Sequence, residues 1–183
     1  MNLPLINVIL PLSQNIVDAW VFDKVVAIQL NNKTFAFYEK TLVASNYQTQ
    51  LKFNTGSTPI SSSLLVFDMD VGNKPNTFTL YGAGAGQLIR YDLVFDQTYQ
   101  FLNITGSQIV SVSNLVGTLV TIKAQEEKIA LACANCSTPF VTIFDKALRI
   151  LNTQNLDAQN LGRYNVEINQ VTQDSYQVYI AGS

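Results

Sequence analysis

The sequence predicts an all-β protein: an antiparallel two-sheet sandwich, refined to a single jelly roll, with at most two short helices. Three observations carry that reading. Apolar and polar residues alternate with period two along most of the chain. Clusters of Asn, Ser, Gly and Pro interrupt the alternation at roughly the 8–12-residue spacing of sandwich and barrel proteins. Thr, Val, Ile, Phe and Tyr dominate the alternating segments, as half-buried strands prefer. One clean apolar face per strand fits antiparallel sheets rather than a doubly wound parallel one. Roughly ten strands are expected, and a jelly roll uses eight, which leaves the rest as decoration.

In chain order, the start is apolar: Leu3, Leu5, Ile6, Val8, Ile9 and Leu10, broken by Pro4 and Pro11. Val26, Ile28 and Leu30 then lead into Asn31-Asn32-Lys33, with Phe35 and Phe37 beyond. Asn tolerates positive φ, so this reads as a tight hairpin. Leu65, Phe67, Met69 and Val71 oppose Asp68 and Asp70, which period two sends to solvent. Phe78 and Leu80 oppose Thr77 and Thr79, and Ile89, Tyr91, Leu93 and Phe95 oppose Arg90 and Asp92. Further strands are expected near 99–104, 108–112, 117–123 and 139–144. Tyr164, Val166 and Ile168 alternate with Asn165, Glu167 and Asn169, and Tyr176, Val178 and Ile180 with Ser175 and Gln177. Connecting loops are expected at 54–63, 72–76, 82–87, 105–107, 134–139 and 152–163. The two short helices fall at Lys123–Lys128 and at 145–151, where Asp145 would be the N-cap.

The chain has 183 residues, and no composition shift or internal repeat marks a boundary. It reads as one β-sandwich domain over 1–183, with 1–18 as an N-terminal arm or as a first strand of the same sandwich. Charged residues make up 13%, about half the usual share, and the formal net charge is −2. Asn, Gln, Ser and Thr stand in their place. The 11 Lys and Arg residues form no basic patch, so no direct nucleic-acid contact is expected. No run reaches the ~18 apolar residues of a membrane-spanning helix. The first basic residue is Lys24, so the cationic start of a secretory signal is missing.

Several local patterns resemble chemistry. Tyr81-Gly82-Ala83-Gly84-Ala85-Gly86-Gln87 is glycine-rich, but a phosphate loop must open a helix and the segment after it alternates like a strand. It reads as a flexible strand-to-strand loop. Asp68-Met69-Asp70-Val71-Gly72-Asn73 lacks the longer ligand series and flanking helices of a calcium loop. Asp68, Asp70, Asp92, Asp96, Glu126 and Glu127 could supply a glycosidase pair only by chance proximity. The chain has no His, which removes every Ser-His and Cys-His mechanism. The expectation is no catalytic residue, no cofactor site and no metal site, and therefore no enzyme. Asn32-Lys33-Thr34, Asn103-Ile104-Thr105 and Asn135-Cys136-Ser137 match the glycosylation sequon, as an Asn- and Thr-rich chain will by accident.

The two cysteines, Cys133 and Cys136, form a CxxC. A zinc site needs about four ligands, which one chain cannot supply here without carboxylates. Three readings stay open: two small half-buried residues in a loop, an intermolecular disulfide, or a metal or redox role shared between chains. A bridge within the motif closes so short a loop that it removes little chain entropy. A loop of small residues would leave both thiols accessible at or near a contact between copies.

The whole chain resembles a viral capsid protein: free of His, poor in charge, rich in Asn, Gln and Thr, and β-patterned throughout. Capsid proteins that condense a genome themselves carry a Lys/Arg-rich tail, whereas residues 1–23 hold no basic residue. Among capsid families it is most similar to the single jelly-roll proteins of icosahedral double-stranded DNA phages with an internal membrane, the Thermus phage type. That resemblance implies a virion protein, made in the host cytoplasm, that assembles with itself and with other capsid subunits near a viral membrane. Leu3, Leu5, Ile6, Val8, Ile9 and Leu10 would then be an assembly arm. Low charge agrees with this, since Asn, Gln, Ser, Thr and Tyr pair across interfaces without burying ions. The alternative is a phage spike, fibre or carbohydrate-binding sandwich module.

Overall fold

The computed structural model describes residues 15–43, 46–54, 60, 63–125, 127–156, 164–170 and 176–182. The arm residues Leu3, Leu5, Ile6, Val8, Ile9 and Leu10 lie outside them, as does Glu126. Among the described residues the fold is all-β, with no helix, and every strand pairing whose register is resolved is antiparallel. Backbone contacts divide the chain into two units, 1–62 with 94–103 and 63–93 with 104–183.

The first unit holds a sheet of β1 (Ile16–Val21), β2 (Val25–Leu30), β3 (Phe35–Val43) and β4 (Asn46–Asn54), in that order. All six residues of β2 are buried. Val26, Ile28 and Leu30 pack with Ala36 and Tyr38 on one face. The register puts Val25 and Ala27 on the other, with Phe35 and Phe37. There Trp20 approaches Phe35 and Phe37 approaches Phe95, with ring centroids 6.1 and 5.2 Å apart. The expected hairpin forms: the N–H of Lys33 donates to the Leu30 carbonyl, and Lys33 takes a positive φ of 62°.

The second unit is the sandwich. One sheet runs β5 (Val66–Val71), β6 (Thr77–Gly84), β7 (Gln87–Phe95), β8 (Phe101–Ser111). The other runs β12 (Ile150–Asn155), β11 (Phe140–Asp145), β10 (Lys128–Cys133), β9 (Val120–Gln125). Tyr81, Ala83 and Leu88 of the first sheet pack on Val120, Ile122, Ile129, Leu131, Phe140 and Phe144 of the second. Each buried aliphatic or Phe side chain there contributes roughly 1.5–3 kcal/mol. β10 is buried on both faces: Ile129, Leu131 and Cys133 face this core, and Ala130 and Ala132 face away with Val141 and Ile143. A hairpin of β13 (Tyr164–Gln170) and β14 (Tyr176–Gly182) follows, and β13 lies against β9 and β10. Side chains as small as Ala let a further layer of backbone approach closely.

Several expectations are corrected. Each four-stranded sheet is a meander whose neighbours are consecutive in sequence. A jelly roll is built from two Greek keys, so the described strands do not carry that refinement. Neither short helix forms. Residues 123–125 end β9, Glu127 is in a turn and Lys128 starts β10, and 145–151 are a turn and the start of β12. The Asp145 carboxylate does cap its segment, accepting the Arg149 N–H at 2.9 Å, but Leu148 at φ 56° turns the chain back after one turn. The expected loop at 105–107 is continuous strand inside β8, and the start of the expected loop at 152–163 is β12. β1, β4 and β10 were not anticipated.

Candidate functional site

Three hairpins of the structure are built alike, and one of them gathers most of the polar chemistry. In each, a strand-end residue accepts the N–H of the residue three on and donates to the carbonyl of the residue four on: Leu30, Asp96 and Asp145. The third loop residue is left-handed in each case, at Lys33, Tyr99 and Leu148. This is a three-residue hairpin loop, a type I turn closed by a left-handed residue. In two of them an aspartate fixes the loop. Asp96 Oδ1 accepts from the Thr98 N–H, the Thr98 hydroxyl and the Gln100 N–H. Asp145 accepts the Arg149 N–H and also binds the Arg149 guanidinium at 2.6 Å. Burial pushes the Asp145 carboxyl up, but the Arg149 N–H, its guanidinium and the Ala147 N–H together hold it below the ordinary aspartate range.

The tip between β11 and β12 is tied to the other sheet of the sandwich. The Arg90 guanidinium of β7 donates to the Lys146 carbonyl at 2.6 Å, and Gln108 of β8 donates to the Ala147 carbonyl at 2.5 Å. Lys146 Nζ meets Glu127 Oε1 at 2.7 Å and Asp70 Oδ2 at 3.9 Å. Arg90 is held in turn by Asp92, which also accepts from Thr79. Glu127, Lys128, Asp145, Lys146, Ala147, Arg149 and Leu151 line a groove of about 420 Å³ here. Glu127 and Arg149 are largely exposed, so their pairs contribute under about 1 kcal/mol each, whereas the side chains of Lys146, Asp70, Arg90 and Asp92 are only 14–31% exposed. Their effect is positional: they fix the tip against the other sheet.

Beneath the cluster lies Tyr81, 1% exposed, whose hydroxyl is the one buried side-chain polar atom with no hydrogen-bond partner among the described residues. Burial raises its pKa well above the usual phenol value, and Arg90 offsets this only in part. A raised phenol pKa favours the fold while the phenol stays neutral. That stability is complete below the unfolded value of about 10 and is lost as pH climbs toward the folded value, by up to about 1.4 kcal/mol per pH unit. Tyr81→Phe is expected to be neutral or stabilising by about 1 kcal/mol at pH 7, because it removes an unsatisfied group. It should also flatten the loss above pH 10. Urea midpoints at pH 7 and 10.5 check both; destabilisation at pH 7 would mean that the hydroxyl has a partner.

Of the candidate carboxylates, Asp70, Asp92 and Glu127 come together above Tyr81, near enough that each acts on its phenol; Asp70 and Glu127 share Lys146, Asp92 binds Arg90, and Asp96 stands apart, fixing its own turn. Asp68 is corrected outright: it is 6% exposed rather than solvated. Its Oδ2 crosses from β5 to accept the Ala124 N–H of β9 at 2.6 Å, and its Oδ1 accepts the Met69 N–H. Among the described residues no group of His, Cys, Asp and Glu could hold a metal ion. The glycine-rich segment joins strand to strand, as expected, but as the end of β6, a two-residue turn and the start of β7.

Cys133 and Cys136 are bonded to each other, with Cα atoms 5.7 Å apart. The expectation of an intermolecular bridge is therefore corrected, since no thiol is left to reach a second chain. Accessibility is corrected too: both sulfurs belong to residues buried in the sandwich core. The loop is clamped on the approach to β9. Asn135 Oδ1 accepts the N–H groups of Thr118 and Leu119 at 2.9 and 2.8 Å, and Asn135 Nδ2 donates to the Thr118 hydroxyl. Gly117 donates its N–H to Cys136 Sγ and passes so close that a Cβ would stand 2.8 Å from Cys133 Sγ. The arrangement pins one end of the sandwich and exposes no reactive sulfur.

No protein-family model, no curated protein and no solved structure matches this chain.

Proposed function

We propose that this chain is a structural, self-assembling protein without enzymatic activity, and specifically a virion protein, a capsid subunit of an icosahedral virus. The observation that carries the self-assembly is where exposed apolar residues lie. Ile16, Val17 and Val21 are on β1, Leu102 and Ile109 on β8, and Ile150 and Leu151 on β12, each an edge strand of its sheet. Scattered exposed apolar residues need no explanation, but apolar residues gathered on strand edges are a template for another chain.

The narrower capsid reading rests on composition: 13% charge, no His, and abundant Asn, Gln and Thr. Within it, the partners are further copies and other capsid subunits, with no direct contact to nucleic acid. The location is the virion, close to an internal membrane. The spike, fibre or carbohydrate-binding alternative gains little from the groove beside β12, whose lining contains no aromatic ring on which a sugar could stack.

The test is multi-angle light scattering of the full chain from about 1 to 100 µM, a range set by the affinities of ordinary assembly contacts. Discrete oligomers or shells are expected. A monomer throughout would remove the self-assembly reading, and a signal on a glycan array would favour the alternative.

A further inference from the structure

The two flanks of the sandwich are treated differently. The sheets stack with β5 and β6 over β9. The opposite edges, β8 and β12, come to the same flank, as the contact of Gln108 with the Ala147 carbonyl beside β12 shows. At the β5/β9 flank the edge is closed. Asp68 reaches across to occupy the Ala124 N–H, Asp70 and Lys123 place charges on the two strands, and β13 lies against β9. These are the devices by which sheet proteins stop unwanted strand pairing.

Within its strands the β8/β12 flank has none of the charged ones, the nearest exposed charge being Arg149 just before β12, paired with Asp145. Neither 104–111 nor 150–155 contains Asp, Glu, Lys, Arg or Pro. All six residues of β12 are exposed. A bulge at Leu151 occupies one end, but Asn152 to Asn155 continue in regular register with 140–143. β8 presents Ile109, 57% exposed, on the neighbouring edge.

We infer that the β8/β12 flank is the surface on which a second copy of this chain docks, edge to edge about a two-fold axis, with β12 pairing antiparallel to its counterpart. This rests on the self-assembly reading and names its contact. Charge argues for a second copy over another partner. In a two-fold contact residue i meets j and j meets i, so an edge carrying charge of one sign repels its own image. An edge of Ile, Leu, Asn, Thr and Gln faces itself without that cost, and its amides and hydroxyls can pair with their own kind. Main-chain hydrogen bonds of the added strand would supply the affinity.

The experiment compares the full-length chain with Asn152→Lys/Gln154→Lys on β12, with Ile109→Lys on β8, and with Gln125→Lys at the closed flank as control. Scattering and sedimentation read the association, and circular dichroism reads the fold. Both open-flank variants should weaken association by about a hundredfold or more while the control leaves it unchanged. A second measurement needs no variant: amide hydrogen exchange of the native chain should slow at 150–155 as concentration rises. If the native chain associates but the folded open-flank variants associate equally well, or if the exchange at 150–155 ignores concentration, the flank assignment is overturned and self-assembly stands. A native chain that stays monomeric overturns both. If a lysine variant misfolds, the exchange measurement decides.

Discussion

Asp68→Ala is expected to lower the unfolding free energy by about 3 kcal/mol, near the upper end for a lost hydrogen bond to a charged group. The carboxylate is buried between the two sheets of the sandwich and accepts N–H groups from both: Met69 on its own strand and Ala124 on β9. Alanine leaves the Ala124 N–H with the desolvation it already has and without its acceptor. Asp68→Asn keeps an acceptor oxygen of nearly the same shape and should recover a substantial part of the loss. Urea denaturation measures both. Equal losses for Ala and Asn would mean that the charge, not the acceptor, matters; a change under about 0.5 kcal/mol for Ala, the usual range of a surface substitution, would mean that the side chain is solvated after all.

Asp68 also shows where period two stops informing. The alternation Phe67, Asp68, Met69, Asp70 is real, and β5 forms over those residues. Alternation separates two faces, however, without saying which of them is covered, and at β5 both are: Phe67 and Met69 are buried on one face. The register sets Asp68 opposite Tyr81 on the other, the face that packs on the second sheet, where it is the acceptor for the Ala124 N–H. That N–H lies 56 residues away in sequence, so no local pattern announces it. The same distance hid the cluster around Lys146, which draws Asp70, Arg90, Gln108 and Glu127 from four separate segments.

Strands in which large apolar residues recur at every second position were legible: β2, β5, β6, β7, β13 and β14 all fall where the alternation put them. β1 and β12 were not, for a physical reason. Nearly every residue of both is exposed, so neither has an inner face to impose a period. They hold their places as edge strands by backbone pairing to β2 and β11. The residues at 145–151 were read as a helix because a type I turn is locally one helical turn. The sequence does not reveal that Leu148 goes left-handed, because leucine is a poor resident of that region. Burial of its side chain in the sandwich core, at 3% exposure, offsets the strain.

The glycine-rich segment 82–86 allows a sharper test of what its residues are for. Gly84 has φ 154°, a region that side chains disfavour, and a Cβ there would stand 2.7 Å from the backbone nitrogen of Leu65 and 3.0 Å from the Ser63 carbonyl oxygen. Backbone cannot step aside as a side-chain tip can. Gly84→Ala is therefore expected to cost about 3 kcal/mol, the sum of a strained φ and a clash with a neighbouring strand end. The next residue should respond in the opposite sense. Ala85 and Gly86 both have positive φ, 49° and 75°, as the two central residues of a type I′ hairpin turn must. Alanine carries a Cβ penalty at that position that glycine does not, so Ala85→Gly should stabilise by up to about 1 kcal/mol. The turn is also docked, since Gly86 exchanges backbone hydrogen bonds with Leu115 and Val112 at 2.9 and 2.8 Å. Adjacent substitutions with opposite signs, read from urea midpoints at constant m, are the signature of a rigid turn held between strands. A flexible loop at the tip of the sandwich would absorb both changes within about 0.5 kcal/mol, as exposed sites do.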